Sequence, residues 1–263
     1  MFKKFFNKKK EEQPLEIKHD WASYFCRVED KPASIRLNLA LHDCAPIQNY
    51  KHRIWFSIKL LNPDENGFTT REEFPVICTI EDAIAEALEK IGAIFVGALK
   101  TNGTFDMYSY SKNVENLDEV IHGVMKNYSD YNYATDTKED TQWDTYFNFL
   151  YPGAYEYQTI LNQKVLINLH KQGDNPEIER EIDHWLYFET EKDRDTFILK
   201  SETLGYKMLS KQTMKEGDHL YQLNISKVSD ANSATINANV WELISLAKEN
   251  NGSYDGWGCP IAG

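Results

Sequence analysis

Apolar and polar positions along the chain change period several times, and those changes outline its elements. Residues 21–28 and 33–41 read as two strands around the turn chemistry of Glu29-Asp30-Lys31-Pro32. A third strand runs from Ile54 to Leu61 and stops at Asn62-Pro63-Asp64. The period then becomes helical, with Ile80, Ala83, Ile84, Ala87, Leu88 and Ile91 on one face. Thr79 is placed to cap that helix and Gly92 to end it. Asn102-Gly103 between residues 94–100 and 104–110 is a strong hairpin signal. Val114, Leu117, Ile121, Val124 and Met125 mark a second helix, and the aromatic run Tyr131 to Phe149 suggests a closing hairpin around residues 137–140. This β-β-β-α-β-β-α-β-β order predicts an α+β domain on an antiparallel sheet.

Tyr151-Pro152-Gly153 punctuates the chain and sets the expected boundary. The organisation expected is a basic tail over 1–17, an α+β domain over 18–152 and a second domain over 153–263. In the second, a helix over 154–171 precedes a strand near 180–189 and a helix over 191–204. A hairpin then joins 206–215 to 219–228 across Glu216-Gly217-Asp218. The last helix carries Ile236, Val240, Leu243, Ile244 and Ala247 on one stripe, and Asn250-Asn251-Gly252 stops it. The order α-β-α-β-β-α predicts a ferredoxin-like α/β sandwich with an extra leading helix. The glycine-rich Gly252 to Gly258 reads as a shaped loop and not a strand.

Charge narrows the function. The 263 residues carry 29 Lys plus Arg against 41 Asp plus Glu, a net of −12. Five lysines crowd residues 1–10, whereas both expected domains are acidic. Binding a phosphate backbone requires the opposite sign, so direct nucleic-acid binding is not expected. An acidic surface instead suits a basic protein partner. Phe2, Phe5 and Phe6 beside those lysines suggest a frayed, solvated tail ahead of a membrane-grazing one. No apolar run approaches a membrane span, and the four cysteines form no C-x-x-C pair, so reduced thiols and a cytoplasmic location are expected.

Phosphate-loop, dinucleotide, serine-hydrolase and zinc-protease signatures are all missing from the sequence. We therefore expect no catalytic residues, no metal site and no cofactor. Two rival readings place a site in the N-terminal domain. One is a hydrolase-like or metal-dependent enzyme around His42, Asp43, Cys44 and His52 with the tyrosines of 128–133; the other is a small-ligand sensor holding a metabolite between helix and sheet. Asp183-His184 invites acid–base chemistry, but strand neighbours point to opposite faces. Parity puts Ile182, His184, Leu186 and Phe188 on the face expected towards the helices. It puts Glu177, Glu179, Glu181, Asp183, Trp185 and Tyr187 on the other, an acidic and aromatic stripe fit for a basic partner. Near the C-terminal end, Tyr254 and Trp257, with Asp255 between them, either pin the chain to the core or offer an aromatic anchor.

Asn237-Ala238-Asn239-Val240, Leu243-Ile244, Leu246-Ala247 and Tyr254-Asp255-Gly256-Trp257-Gly258 together resemble the regulator of ribonuclease E activity B family. Gly173-Asp174-Asn175-Pro176, Ile182-Asp183-His184 and Tyr187-Phe188 resemble that family's opening segment. The resemblance spans about residues 155–263. It implies an acidic, ferredoxin-like, non-enzymatic cytoplasmic protein that binds an RNase E/G-type endoribonuclease and restrains RNA decay. Residues 18–152 are similar to an uncharacterised bacterial domain family found alone or ahead of this one.

Overall fold

The computed structural model describes residues 17–214 and 220–263. The expected lysine-rich tail and the turn Glu216-Gly217-Asp218 lie outside the described residues. The chain divides into two compact units, Met1–Tyr151 and Pro152–Gly263, both of α+β construction.

The first unit contains β1 (Trp21–Val28), β2 (Lys31–Asn38), β3 (His52–Lys59), α1 (Phe74–Lys90), β4 (Ile94–Thr101), β5 (Thr104–Ser111), α2 (Leu117–Met125) and β6 (Tyr133–Glu139). Its six strands form an antiparallel sheet in the order β1-β2-β4-β5-β3-β6. The β4–β5 hairpin turns at Asn102 (φ 48°) and Gly103 (φ 79°), as the Asn-Gly pair requires. One sheet face packs Ile54, Phe56, Ile58, Phe105 and Met107 against Ile77, Ile80, Ile84 and Leu88 of α1 and Leu117, Ile121 and Met125 of α2.

Two local expectations are corrected here. Thr79 does not cap α1; the helix starts at Phe74, with Pro75 in its first turn, and the Thr79 hydroxyl donates to the Pro75 carbonyl at 2.9 Å. The closing hairpin is also absent among the described residues. After β6 the chain bends, and Thr145–Leu150 is one π-helical turn. The reason is Asp140. Its Oδ1 accepts from the Asp144 amide at 2.8 Å, and its Oδ2 accepts from the Thr145 amide at 3.0 Å and the Tyr110 hydroxyl at 2.6 Å. A carboxylate that captures two amides this way competes with strand pairing and starts a helical turn. The aromatics that looked like strand become a plug: Trp143 stacks on Tyr110 at 4.0 Å and donates to the Tyr50 carbonyl, and Tyr146 donates to the Asn38 carbonyl.

The second unit contains α3 (Ala154–Lys171), β7 (Arg180–Phe188), α4 (Glu191–Thr203), β8 (Lys207–Thr213), β9 (Tyr221–Ser229), α5 (Ser233–Glu249) and β10 (Gly252–Gly258). The sheet is antiparallel in the order β10-β7-β9-β8, so β7 sits between two strands that follow it in the chain. Leu186 and Phe188 pack with Phe197, Leu223, Ile225 and Leu243, whereas Ile182 packs with Leu169, Ile236, Val240 and Trp257. All three helices therefore contribute to the core on one side of the sheet.

The expected glycine-rich loop is in fact the edge strand β10. Tyr254 and Trp257 are three residues apart, a spacing that regular alternation would put on opposite faces. A bulge between Tyr254 and Gly256 absorbs the extra residue and turns both rings towards the helices. Gly252 serves close approach, because a Cβ there would stand 2.4 Å from the Phe188 ring.

Candidate functional site

The alternation expected for β7 is present residue by residue. Arg180, Ile182, His184, Leu186 and Phe188 are buried, and Glu181 is exposed with Asp183, Trp185 and Tyr187 half-buried between them. The second set projects from the sheet face opposite the helices. Its neighbours across the strands are short and polar: Tyr187 lies between Ser253 and Gln222, Trp185 between Gly256 and Asn224, and Asp183 between Gly258 and Ser226. The glycines leave room beside the Trp185 ring, which passes 3.5 Å from where a Gly258 Cβ would be.

Polar contacts hold this face in shape. The Ser226 hydroxyl donates to Glu181 Oε1 at 2.6 Å, and Gln222 Nε2 donates to the Tyr187 hydroxyl at 3.0 Å. Burial and the neighbouring Glu181 charge raise the Asp183 pKa from its ordinary value. Asp183 in that state gains by meeting a cation. Glu177 and Glu179 are exposed just ahead of β7, and Asp255 is exposed at the β10 bulge.

Tyr254 and Trp257 do not join them. Trp257 is buried, and its Nε1 donates to Asn162 Oδ1 at 3.0 Å. Tyr254 faces the same side, its hydroxyl 2.8 Å from His184 Nδ1. Both pin β10 to the core. Asn162 is a junction the sequence did not announce: it also accepts from Gln158 at 3.0 Å and donates to Asn237 Oδ1 at 2.8 Å. A polar residue on a helix carries no mark of such a role in its own sequence.

His184 is fully buried, and its Nε2 has no hydrogen-bond partner among the described residues. Burial, with a smaller contribution from the Lys227 charge, holds its pKa down to about 3. The ring is thus neutral at ordinary pH and separated by the sheet from Asp183. That arrangement supports packing and does not assemble an acid–base pair.

In the first unit, His42 and Asp43 end the short 3-10 helix Leu39–Asp43, with His42 Nδ1 3.5 Å from Asp43 Oδ1 on an open surface. His42 packs on the Tyr151 ring at 4.5 Å. His52 opens β3 between Ser111 and Glu139. Tyr128 and Tyr131 pack against the α1–α2 core. Among the described residues no three His, Cys, Asp or Glu side chains gather as a metal would need. No helix among them is long and apolar enough to cross a membrane.

By architecture this is a two-unit α+β protein, with a helix-covered sheet in each unit and an open polar face on the second. Residues 19–151, just over half of the chain, match the model of a family of unknown function, DUF695, and the chain belongs to that family. Residues 159–259, in the C-terminal half, match the model for regulator of ribonuclease activity B. No curated protein matches the chain. Two solved structures align at low similarity. One is an unknown protein from Galdieria sulphuraria (9% identity, 80% of this chain and 99% of that one, TM-score 0.22). The other is a putative glycine cleavage system transcriptional repressor (10% identity, 80% and 98%, TM-score 0.21). At those TM-scores neither bears on the argument.

Proposed function

We propose that the second unit is a non-enzymatic, cytoplasmic regulator on a ferredoxin-like scaffold, which binds an RNase E/G-type endoribonuclease and so modulates RNA decay. The match of residues 159–259 to a ribonuclease-regulator family supports the class of activity. The observation that carries the contact surface is the open face of β7, where Glu181 and Asp183 stand in line with Trp185 and Tyr187. A flat aromatic patch edged by carboxylates fits a basic, arginine-bearing segment: the rings accept guanidinium faces and the carboxylates its N–H groups. Glu177, Glu179 and Asp255 extend the negative field around it and speed encounter.

The test is association of the full chain with a purified RNase E/G-type nuclease across a salt series. Replacing Glu179, Glu181 and Asp183 together by lysine should slow association and flatten its salt dependence. Affinity should also fall as the medium is acidified through the raised Asp183 pKa, because the protonated carboxyl no longer attracts a cation. Binding by the triple variant equal to that of the native chain rules this surface out.

A further inference from the structure

The first unit has a cavity of about 440 Å³ between α1 and the sheet, within the size range of small-molecule sites. Its floor is a patch of four strands. Ser23 pairs with Arg36 and Arg36 with Ala98, while Ser34 pairs with Lys100 and Lys100 with Phe105. Phe74, Cys78, Glu81 and Asp82 of α1 form the opposite wall.

The charges in it are not equivalent. Arg36 is committed: its guanidinium is bonded to Glu81 and lies over Trp21 at 4.7 Å. Lys100 is not. It is half-buried, and it has no hydrogen-bond or ion-pair partner among the described residues; its ammonium rests on Phe74 at 4.5 Å and Phe105 at 5.5 Å. Burial draws its pKa below the usual lysine value. Glu81, already paired to Arg36, acts on it only at longer range, and a sheltered cation with no direct ion pair is a cost that a bound anion lowers.

We propose that this cavity binds a small monocarboxylate with an apolar body, its headgroup on Lys100 and its body against Phe74, Ala98 and Phe105. The Ser23 and Ser34 hydroxyls supply further donors near the headgroup. A single charge is favoured because only Lys100 is uncommitted, while Glu81 and Asp82 on the α1 wall repel a second negative charge. This site is independent of the sheet face in the second unit.

Calorimetric titration of the full chain with sodium benzoate, its neutral isostere benzamide, and inorganic phosphate tests the proposal. Benzoate should bind saturably at one site, shifting backbone amide signals of β2, β4 and α1, and benzamide should bind about tenfold or more weakly. Lys100→Met should lose benzoate by a similar factor and Lys100→Arg should retain it. Absence of saturable benzoate binding overturns the proposal. Equal binding of benzamide overturns the role of Lys100 charge, and phosphate binding tighter than benzoate overturns the monocarboxylate class. All three ligand comparisons use the native chain, so they hold even if a Lys100 variant fails to fold.

Discussion

Acidification should loosen the second unit through one side chain. His184 is buried, its Nε2 without a partner among the described residues, and its pKa of about 3 stands well below the ordinary histidine value of 6.5. Between those values the unfolded chain takes up a proton that the folded chain refuses. Stability contributed by the neutral ring is therefore complete above pH 6.5 and is lost as pH falls towards 3. At about 1.4 kcal/mol per pH unit, roughly 3 kcal/mol is gone by about pH 4 and roughly 4–5 kcal/mol by the lower limit. Such a loss rivals the whole stability of many domains. Hydrogen exchange of the β7 and β9 amides in the full chain reads it locally. His184→Gln, which keeps a polar partner for Tyr254 and cannot protonate, supplies the reference. Carboxylates elsewhere titrate in both proteins, so the difference in slope isolates the imidazole. Ring NMR gives the direct check, and its signals should stay flat through neutral pH. An imidazole titrating near its ordinary value, or parallel slopes for the two proteins, refutes the reasoning.

Two further outcomes follow from buried polar contacts. Asn162→Leu leaves Trp257 Nε1 and Asn237 without their partner and should cost about 1–3 kcal/mol in chemical denaturation of the second unit. Asp174→Asn halves a buried ion pair in which Asp174 Oδ2 meets Arg180 at 2.6 Å and Oδ1 accepts the Ala262 amide at 2.9 Å. It should destabilise by about 3–5 kcal/mol and raise protease sensitivity after β10, measured as the rate of C-terminal clipping.

Periodicity carried most of the fold. Helix α3 occupies the residues its four-residue spacing marked, and β7 shows the burial its parity required. What failed was decided by single side chains acting at a distance. Asp140 turned an aromatic strand into a π-helical plug by capturing amides four and five residues on. The glycine-rich segment pairs with β7 as β10, and the bulge at Asp255 breaks the alternation by which a strand is read in sequence. The acidic stripe of the candidate surface was legible because it lies along one strand. The Lys100 cavity was not, since Ser34 and Lys100 become neighbours only when β2 pairs with β4 across 66 positions of chain, a pairing no local pattern encodes. Tyr254 and Trp257 left two readings open in sequence; Trp257 is buried, and Tyr254 is half-buried against the same core with its hydroxyl on His184.

The position of β7 also shapes how the second unit is assembled. It is the first strand of its sheet to be synthesised, yet both its partners come later: β9 after a helix and another strand, β10 after a further helix. Only β8 and β9 can pair as a local hairpin. Closing the longer loops costs entropy before any contact repays it, so that hairpin is expected to form before β7 docks. Until β10 arrives, β7 keeps one ladder of amides and carbonyls open beside Ile182, Leu186 and Phe188. A sheet without β10 would leave that edge of β7 open to strand exchange with another copy, and β10 is the element that covers it.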